Sequence, residues 1–399
     1  MLNIEKKSVD FLLERKKVLM FLLISILALV IRIKLLSFRS YDFIHFLKPW
    51  YDYINHMGRL KALGMQVGNY GITYQFLIAL FTYLPGKSIF WYKGLSIFFD
   101  YVLAITGAKI YEKMTNNKDE IKSLIVYSII LFSPNVVLNS SVWGQCDSIY
   151  VSFICLSLLS MLYNKNWLSF VFLGIAFAFK LQAIFILPFY LLVYLKNKNF
   201  SILNALWGLA SFYVCNLPGV IMRRSLIAPF EPFIDQASGY QSRINLHYPN
   251  LSGLLYSSLP VGVGLSNILE SFFVFLTIGV IVIGSFYLIF RNNNKFSKQE
   301  ILLFSIWIMW TCVMFLPAMH ERYGYAVEIL LIVVSMAFPT YWFNTVILII
   351  TTFIMYSYFL FSAPMNMPIL SFIAIVNYFL YTMVTFSGLY SLRKKRYTE

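Results

Sequence analysis

FLPAMHERYGYAVEILL, residues 315–331, carries a polar cluster between two long apolar runs, 301–317 and 326–339. Apolar runs separated by short polar stretches are typical of helices that cross a membrane in succession, since a helix satisfies its own backbone polar groups in lipid. The polar residues of this stretch are His320, Glu321, Arg322 and Tyr323. They belong to a solvated loop, to a buried ion cluster, or to a site that binds a charged substrate.

The composition indicates an integral membrane protein. The 399 residues are 59% hydrophobic and 12% charged, whereas roughly a quarter of a soluble domain is charged. The net charge of +15 could suggest nucleic acid, but the basic residues cluster at the ends of apolar segments, as the positive-inside rule predicts. We therefore expect no nucleic-acid partner. The four cysteines show no CxxC spacing, so neither a disulfide framework nor a metal site is indicated.

The apolar pattern predicts an all-α polytopic membrane protein with about 12 transmembrane helices in a single domain, residues 1–399. The segments are about 18–38, 89–110, 121–138, 148–163, 167–180, 183–196, 201–221, 268–290, 301–317, 326–339, 342–362 and 369–391. Several are short for the roughly 20 residues that a spanning helix needs. The break at FKLQ (179–182) allows a hairpin, a kinked helix, or one continuous 29-residue helix.

The distribution of basic residues predicts the orientation. With the N-terminus inside, 19 of the 32 Lys and Arg residues fall on inner segments, including the N-terminal EKKSVDFLLERKK and Arg393 to Arg396. Both termini are then cytoplasmic. The first apolar run has no cleavage signature and is predicted to be a retained helix. The Asn-, Lys- and Ile-rich composition and small inner loops fit a bacterial plasma membrane.

Two segments remain outside under this orientation. The stretch YGITYQFLIALFTYLPG (70–86) is too short to cross, and we predict an interfacial helix within the first outer loop, 39–88. The region 222–267 is long enough to form a structured outer loop, and loops of this length usually carry a function.

The polar clusters converge on the outer face, which predicts a site there. They are RSYDFIHFLKPWYDYINH (39–56), NSSVWGQCDSIY (139–150), FKLQ (179–182), INLHYPN (244–250) and AMHERY (318–323). Asp42 lies just beyond the first span, where its carboxylate could act as a general base. The alternative is an interfacial acid paired with Arg39 or Lys48.

The other candidates each have a structural alternative. Asp147 begins a span and could serve only the helix N-terminus, but the neighbouring Trp143 and Gln145 suit sugar rings and hydroxyls. Lys180 and Gln182 interrupt an apolar stretch, so Lys180 either serves a site or snorkels to the interface.

Arg322 and His320 are the strongest candidates for binding phosphate, because a guanidinium offers a planar fork of donors. An internal Glu321–Arg322 ion pair is the alternative. The remaining candidates for contact with substrate are Glu321, Tyr323, His247 and Asn250. The motifs of common soluble enzymes (GxxxxGK[ST], GxGxxG after a strand, HExxH and GxSxG) are absent from the sequence.

Five motifs together resemble the GT-C superfamily of integral membrane glycosyltransferases over about residues 18–330. They are RSYDFIHFLKPWYDYI, NYGITYQFL, WGQCDSIY, FKLQAIFILPFYLL and MHERYGYA, in this order. The nearest branches are the bacterial Gpi18-like mannosyltransferases and, more distantly, the endoplasmic-reticulum glucosyltransferases that use dolichol-linked substrates. Relatives often have two prolines after the tyrosine of the NY element, where this chain has Gly71 and Ile72.

The resemblance implies roles for particular residues. The family's catalytic aspartate in the first outer loop corresponds best to Asp42. Further polar residues of the family correspond to Trp143, Gln145, Asp147, Lys180, Gln182, His320, Glu321 and Arg322.

The implied reaction transfers one sugar from a polyprenyl-phosphate-linked donor to an acceptor hydroxyl on the outer side, with inversion and with Asp42 as the base. The acceptor would be a glycan, a lipid-linked molecule or a polymer. Arg322, His320 and Lys180 would neutralise the donor phosphate. This scheme requires no metal, although some relatives use one, so a divalent metal stays possible.

Two other interpretations remain. A multi-span transporter or flippase of lipid-linked sugar or polysaccharide predicts charged residues on both sides of the membrane midplane. A non-catalytic membrane scaffold predicts no convergent cavity. The transferase predicts that Asp42, Lys180 and Arg322 face one outer cavity that opens toward lipid.

Overall fold

The computed structural model describes residues 15–116, 119–197, 199–238, 244–255, 263–291 and 295–388. These residues form 17 α-helices, short 3₁₀ and π turns, and isolated β-bridges in place of any extended strand. The predicted all-α class is confirmed. The basic residues before Arg15 and the run Arg393 to Arg396, which carried part of the orientation prediction, lie outside the described residues.

The α-helices are numbered in chain order. They are α1 (Lys16–Leu35), α2 (Lys48–His56), α3 (Ile72–Phe81), α4 (Ser88–Thr115), α5 (Glu120–Phe132), α6 (Pro134–Val137), α7 (Asp147–Leu162), α8 (Asn166–Phe179), α9 (Leu187–Lys196), α10 (Ala205–Ile221), α11 (Glu231–Ser238), α12 (Leu251–Leu255), α13 (Val263–Phe290), α14 (Lys298–Phe315), α15 (Tyr325–Ala337), α16 (Trp342–Phe361) and α17 (Met367–Ser387).

Six of these helices are long and apolar enough to cross a membrane: α1, α4, α13, α14, α16 and α17. A seventh span results if α5 and the following Pro134–Trp143 segment, bent by 49°, are counted together. The predicted count of about 12 spans is not confirmed. Each of the other predicted segments contains a helix, but these helices have fewer than 18 residues because polar or helix-breaking residues end them early.

The break at FKLQ shows how one such helix ends. Helix α8 stops at Phe179, and the backbone of Lys180 is extended (φ −155°, ψ 134°). A 3₁₀ turn, Leu181–Ile186, follows before α9 begins. One continuous 29-residue helix is therefore wrong for this segment. The extended residue turns the Lys180 side chain into the protein, where it is 6% exposed.

Buried charges tie the membrane helices together. Arg32 of α1 donates to Oδ2 of Asp100 in α4 at 2.9 Å and to the carbonyl oxygen of Leu131 in α5 at 2.9 Å. Ser140 also donates to Oδ2 of Asp100, at 2.6 Å. Charges inside a membrane protein are costly unless paired. Since both groups of this pair are fully buried and hydrogen-bonded to protein atoms, we assign the pair to helix packing.

The stretch 70–86, predicted to contain a short helix, contains α3. Its Gln75 donates to the carbonyl oxygen of Met65 at 3.0 Å, which fixes α3 against the preceding turn. A Cβ atom on Gly71 would lie 2.7 Å from the carbonyl oxygen of Ala178. Proline also carries a Cβ, so the close approach of α3 to the end of α8 explains why glycine stands here instead of the proline of relatives.

The long outer loop 222–267 is partly described. Residues 244–250 run beside residues 318–320, where Ala318 N donates to Ile244 O at 2.7 Å and Tyr248 N donates to Met319 O at 3.2 Å. Residues 239–243 and 256–262 of this predicted loop lie outside the described residues. This pairing holds residues 318–323, which we call the His320 stretch, near the start of α7 and the end of α8.

Candidate functional site

A cavity of about 220 Å³ lies where residues 42–50 and 69–70, the turn before α7 and residues 320–322 meet. Its wall contains both polar and aromatic side chains. The lining residues are Asp42, Phe46, Leu47, Trp50, Asn69, Tyr70, Trp143, Gln145, His320, Glu321, Arg322 and Phe359. We call this space the Asp42 cavity. Six of the predicted site residues line it, from parts of the chain far apart in sequence.

Two donors hold the carboxylate of Asp42 in place. Trp143 Nε1 donates to Asp42 Oδ2 at 2.9 Å, and Gln145 Nε2 donates to the same oxygen at 2.7 Å. The Gln145 amide is oriented in turn by Tyr70, whose hydroxyl donates to Gln145 Oε1 at 3.0 Å. Both donors use one carboxylate oxygen, so Oδ1 is the atom of Asp42 that a substrate can engage.

The backbone conformation around Gly144 places the Trp143 and Gln145 donors on the same side, facing Asp42. The π turn Leu138–Trp143 ends at Gly144, which adopts a left-handed conformation (φ 80°) that suits glycine. Ser96 Oγ donates to the carbonyl oxygen of Gln145 at 2.6 Å, and Ser40 Oγ donates to that of Trp143 at 2.8 Å. Because Ser40 lies two residues before Asp42, this hydrogen bond fixes the segment that contains Asp42 to the turn.

Asp147 is buried and lies close to two cations, Lys180 and Arg322. It forms an ion pair with Lys180, accepts a hydrogen bond from Asn139 Nδ2 at 2.9 Å, and lies 3.7 Å from Arg322 Nε. The N-cap residue of α7 is Cys146, and Asp147 is the first residue of the helix. The capping alternative therefore explains less than the charge pairing does. Lys180 points inward to Asp147, and snorkelling does not describe it.

Arg322 belongs to an ion pair and still faces the Asp42 cavity. It pairs with Glu321, and its guanidinium carbon lies 5.5 Å from the centre of the Trp143 ring. Its Nε atom is buried and lies 3.7 Å from Asp147 Oδ2. The opening stretch therefore contains a buried ion cluster, and one cation of that cluster lines a cavity.

The electrostatics keep this cluster ionised. Burial raises the pKa of Glu321, but the Arg322 guanidinium and His320 outweigh burial and lower that pKa to about 2. His320 Nδ1 lies 3.4 Å from Glu321 Oε2. Burial lowers the pKa of Arg322, but Glu321 and Asp147 outweigh it and raise that pKa well above its ordinary value. Arg322 is therefore a permanent cation at the cavity wall.

A second, smaller cavity of about 40 Å³ lies beside the first. The two share four lining residues: Asn69, Tyr70, His320 and Arg322. The second cavity is otherwise lined by Gly71, Phe179, Lys180, Gln182, Phe233 and Tyr323, and we call it the Lys180 cavity. Gln182 Oε1 is buried there without a hydrogen-bond partner. The structure thus places Asp42 and Arg322 on one cavity and Lys180 on its neighbour, with Arg322 on both.

Three predicted residues line neither cavity: Asp147, described above, and Asn250 and His247. Asn250 is fully buried and donates to the carbonyl oxygen of Val313 at 3.0 Å, near the end of α14. His247 packs edge-on against Phe359, with 5.0 Å between ring centroids. Neither residue lines the Asp42 cavity or the Lys180 cavity. The contacts of Asn250 indicate a structural role, and His247 supports a lining residue from behind.

Sequence reasoning missed several lining residues. Asn69 and Tyr70 lie in the NYGITYQFL motif, and that motif could have identified them as candidate site residues. Phe359 comes from α16, in a region that the sequence marked only as apolar spans, and no pattern pointed to it. Asp52, ten residues after Asp42, pairs with Lys48 on the surface, so Lys48 is not a partner of Asp42.

No metal site is evident among the described residues. They contain no group of three or more His, Cys, Asp or Glu side chains placed to hold a metal ion.

Residues 69–317 match the model of glycosyltransferase family 87. The match covers 249 of the 399 residues, counted as 317 − 69 + 1, and is therefore more than half of the chain. It contains Tyr70, Trp143, Gln145, Asp147 and Lys180. Asp42 lies before it, and the His320 stretch lies just after it. No curated protein shows a significant match to the chain.

Proposed function

The chain belongs to glycosyltransferase family 87, and from this premise we propose that it transfers one sugar from a polyprenyl-phosphate-linked donor to an acceptor hydroxyl in the Asp42 cavity. The family membership, together with six to seven candidate membrane spans, makes it a membrane glycosyltransferase. The donor, the mechanism and the side of the membrane are the proposed part.

One observation carries the proposal. A carboxylate and a permanent cation, Asp42 and Arg322, line the same cavity and contact opposite parts of one side chain, the indole of Trp143. Transfer from a sugar phosphate needs a base for the incoming hydroxyl and a cation for the departing phosphate. The indole is near both groups, and Asp42 is close enough to Arg322 to help raise the pKa of the guanidinium.

The proposed reaction is an in-line displacement. The acceptor oxygen attacks the anomeric carbon while Asp42 Oδ1 takes its proton, and the bond between that carbon and the phosphate oxygen breaks with inversion. The bonding electron pair leaves with the polyprenyl phosphate. Because this leaving group is a stable anion, it needs no proton from the protein.

The donor phosphate is proposed to bind at the boundary of the two cavities. Arg322 and His320 line both cavities there, and Lys180 lines the second. The two fixed cations, Lys180 and Arg322, already face two carboxylates, Asp147 and Glu321. The phosphate must therefore share Arg322 with Glu321. This arrangement favours release of the phosphate product, because Glu321 forms its full ion pair with Arg322 again when the phosphate leaves.

The side of the membrane and the acceptor follow from the same scheme. We place the Asp42 cavity on the extracytoplasmic side of a plasma membrane, with both termini cytoplasmic, on the distribution of Lys and Arg. The acceptor is a glycan, a lipid-linked molecule or a polymer. Mannose is the first sugar to test, on the resemblance to mannosyltransferases. The transporter alternative shares the donor and differs in leaving the sugar–phosphate bond intact.

The test is turnover of a panel of radiolabelled polyprenyl-phosphate sugars by the purified protein in lipid vesicles. We expect one sugar to be transferred to an extracted cell-envelope acceptor, with release of polyprenyl phosphate. Asp42→Asn keeps the shape and removes the base, and should abolish transfer. Asp52→Asn is the matched control and should retain it. Full turnover by Asp42→Asn, or movement of an intact donor across the vesicle, would contradict the proposal.

A further inference from the structure

A chain of hydrogen bonds runs from the long outer loop to Asp42. Its first member is Arg224, which follows α10 and whose side chain is 5% exposed. Arg224 Nη1 donates to Gln66 Oε1 at 2.9 Å. Gln66 Nε2 donates in turn to the backbone carbonyl oxygen of Tyr70 at 2.8 Å, and the Tyr70 hydroxyl orients Gln145 against Asp42. The chain therefore connects two residues that line neither cavity, Arg224 and Gln66, with the proposed base.

Gln66 holds the turn 66–70 in one conformation. Its amide nitrogen carries two hydrogens and also donates to the carbonyl oxygen of Gly68 at 2.9 Å. Gly68 adopts a left-handed conformation (φ 70°), and a Cβ atom there would lie 2.5 Å from Cε2 of Trp50, so the indole of Trp50 packs directly on the turn. Because Gln66 binds two carbonyl oxygens of the turn, the direction in which Tyr70 leaves it depends on this one amide.

Arg224 fixes which way the Gln66 amide faces. A guanidinium only donates hydrogen bonds, whereas an amide side chain donates from its nitrogen and accepts at its oxygen. With Arg224 at its oxygen, the amide must turn its nitrogen toward the turn. The same arrangement recurs at Gln145, where the Tyr70 hydroxyl donates to the amide oxygen and the nitrogen faces Asp42. Each amide in the chain is thus oriented by the donor before it.

The ion pair of Arg224 does not by itself explain why its side chain is buried. Arg224 Nη2 donates to Glu231 Oε2 at 3.2 Å, but the Glu231 side chain is 49% exposed, and an ion pair of this kind contributes little to stability. A buried guanidinium is costly unless its donors are used, and the other nitrogen, Nη1, contacts the neutral Gln66. Glu231 begins α11, whose Phe233 lines the Lys180 cavity. Arg224 therefore contacts both the turn that leads to Asp42 and a helix beside the proposed phosphate site.

We propose that Arg224 and Gln66 are positioning residues for the transfer reaction, which act on Asp42 through Tyr70 and Gln145. This inference rests on the proposed function, since it takes Asp42 as the base. Neither positioning residue touches substrate. They keep the Tyr70 hydroxyl where it orients the Gln145 amide, and a small misplacement of a reacting group lowers the rate of the chemical step.

The first test removes the donors of Arg224. Arg224→Met keeps most of the side-chain length, and we expect it to lower kcat about tenfold. The KM for the polyprenyl-phosphate sugar that the wild type uses should stay unchanged, because Arg224 lies outside both cavities. Arg223→Met, at the exposed neighbouring residue of the same type, is the matched control and should leave kcat unchanged. Glu231→Gln removes the ion pair, leaves the contact with Gln66, and should change kcat less than about twofold.

Variants of Tyr70 decide whether the effect passes through the chain. Tyr70→Phe removes the hydroxyl that contacts Gln145 and should itself lower kcat about tenfold. In the Tyr70→Phe background, Arg224→Met should cause no further loss, since residues of one network are not additive. Gln66→Met breaks the middle of the chain and leaves Arg224 paired with Glu231. It should show the same loss and the same dependence on Tyr70, so it tests the inference even where Arg224→Met does not fold.

The outcomes separate this inference from the proposed function. Wild-type kcat in Arg224→Met or in Gln66→Met, with each variant unfolding within a few degrees of the wild-type temperature, would overturn the inference. A raised KM with unchanged kcat would overturn it as well. So would a full additional loss in the Tyr70→Phe background, because the effect would then not depend on the Tyr70 hydroxyl. Failure of the wild type to transfer from any polyprenyl-phosphate sugar would instead overturn the proposed function.

Discussion

Trp143 donates its indole hydrogen to Oδ2 of Asp42 at 2.9 Å. The same ring lies under Arg322, 5.5 Å from its guanidinium carbon. One aromatic side chain therefore fixes the proposed base and supports the proposed phosphate ligand. Two further contacts hold the indole: its ring packs edge-on against Tyr356, with centroids 5.1 Å apart, and stacks on Phe359 at 5.9 Å.

Trp143→Phe removes the hydrogen bond to Asp42 and keeps an aromatic ring beneath Arg322. We expect kcat to fall about 10- to 100-fold, since a hydrogen bond to a charged group contributes about 1.5–3 kcal/mol. Steady-state kinetics with saturating donor measure this. Trp91→Phe is the matched control, because Trp91 Nε1 is buried without a partner and stacks on Phe81 away from the site. Equal losses in the two variants would contradict a specific role for Trp143.

Arg322→Gln removes the permanent cation from the cavity wall. We expect kcat/KM to fall by about 10²–10³, the usual cost of losing one donor to a developing anion. Arg322→Lys should recover only part of this, because an ammonium keeps the charge and loses the planar fork. The measurement is release of polyprenyl phosphate. Arg223→Gln, at an exposed residue of the long outer loop, serves as control, and a similar loss there would indicate a general effect of surface charge.

The lowered pKa of Glu321 predicts that the stability of the folded protein depends on pH. Its pKa in the folded protein is lowered from 4.5 to about 2, so the folded state favours the carboxylate and the unfolded state binds the proton more readily. The stabilisation from Glu321 is therefore fully present above about pH 5 and is lost as the pH falls toward 2. We expect the difference in unfolding temperature between wild type and Glu321→Gln to be constant from about pH 5 to 8 and to shrink below that range. A difference that grows on acidification would contradict this assignment.

Arg32→Met leaves Asp100 as an unpaired buried charge. We expect a loss of about 3–5 kcal/mol in the free energy of unfolding, as is usual when one partner of a buried pair is removed. The double variant Arg32→Met/Asp100→Leu should recover much of this loss and retain transfer activity, because the pair is assigned to packing. Thermal unfolding in detergent and the transfer assay measure the two effects. A stable double variant without activity would show that the pair serves the reaction.

Several features of the site could be predicted because they depend on local sequence and on the cost of charge in lipid. An ionisable residue inside an apolar run is costly, so Lys180 was a candidate, and Asp147 and Arg322 were candidates because they lie in polar clusters next to such runs. The break at FKLQ could also be predicted, but the sequence did not decide between a hairpin, a kinked helix and one continuous helix. The predicted count of about 12 spans is not confirmed, since hydropathy alone marks short apolar helices such as α15 together with those long enough to span.

The sequence by itself determined that this chain is helical, that it belongs in a membrane, and that its polar residues come in a few short clusters. Only the tertiary structure decided which clusters meet. It brought Tyr70, Gln145 and Asp42 into one chain of hydrogen bonds, placed Phe359 of α16 on the cavity wall, and made Asn250 a packing residue. The physical reason is that hydropathy and helix capping act over a few residues, whereas the cavity arises from packing between helices more than a hundred residues apart.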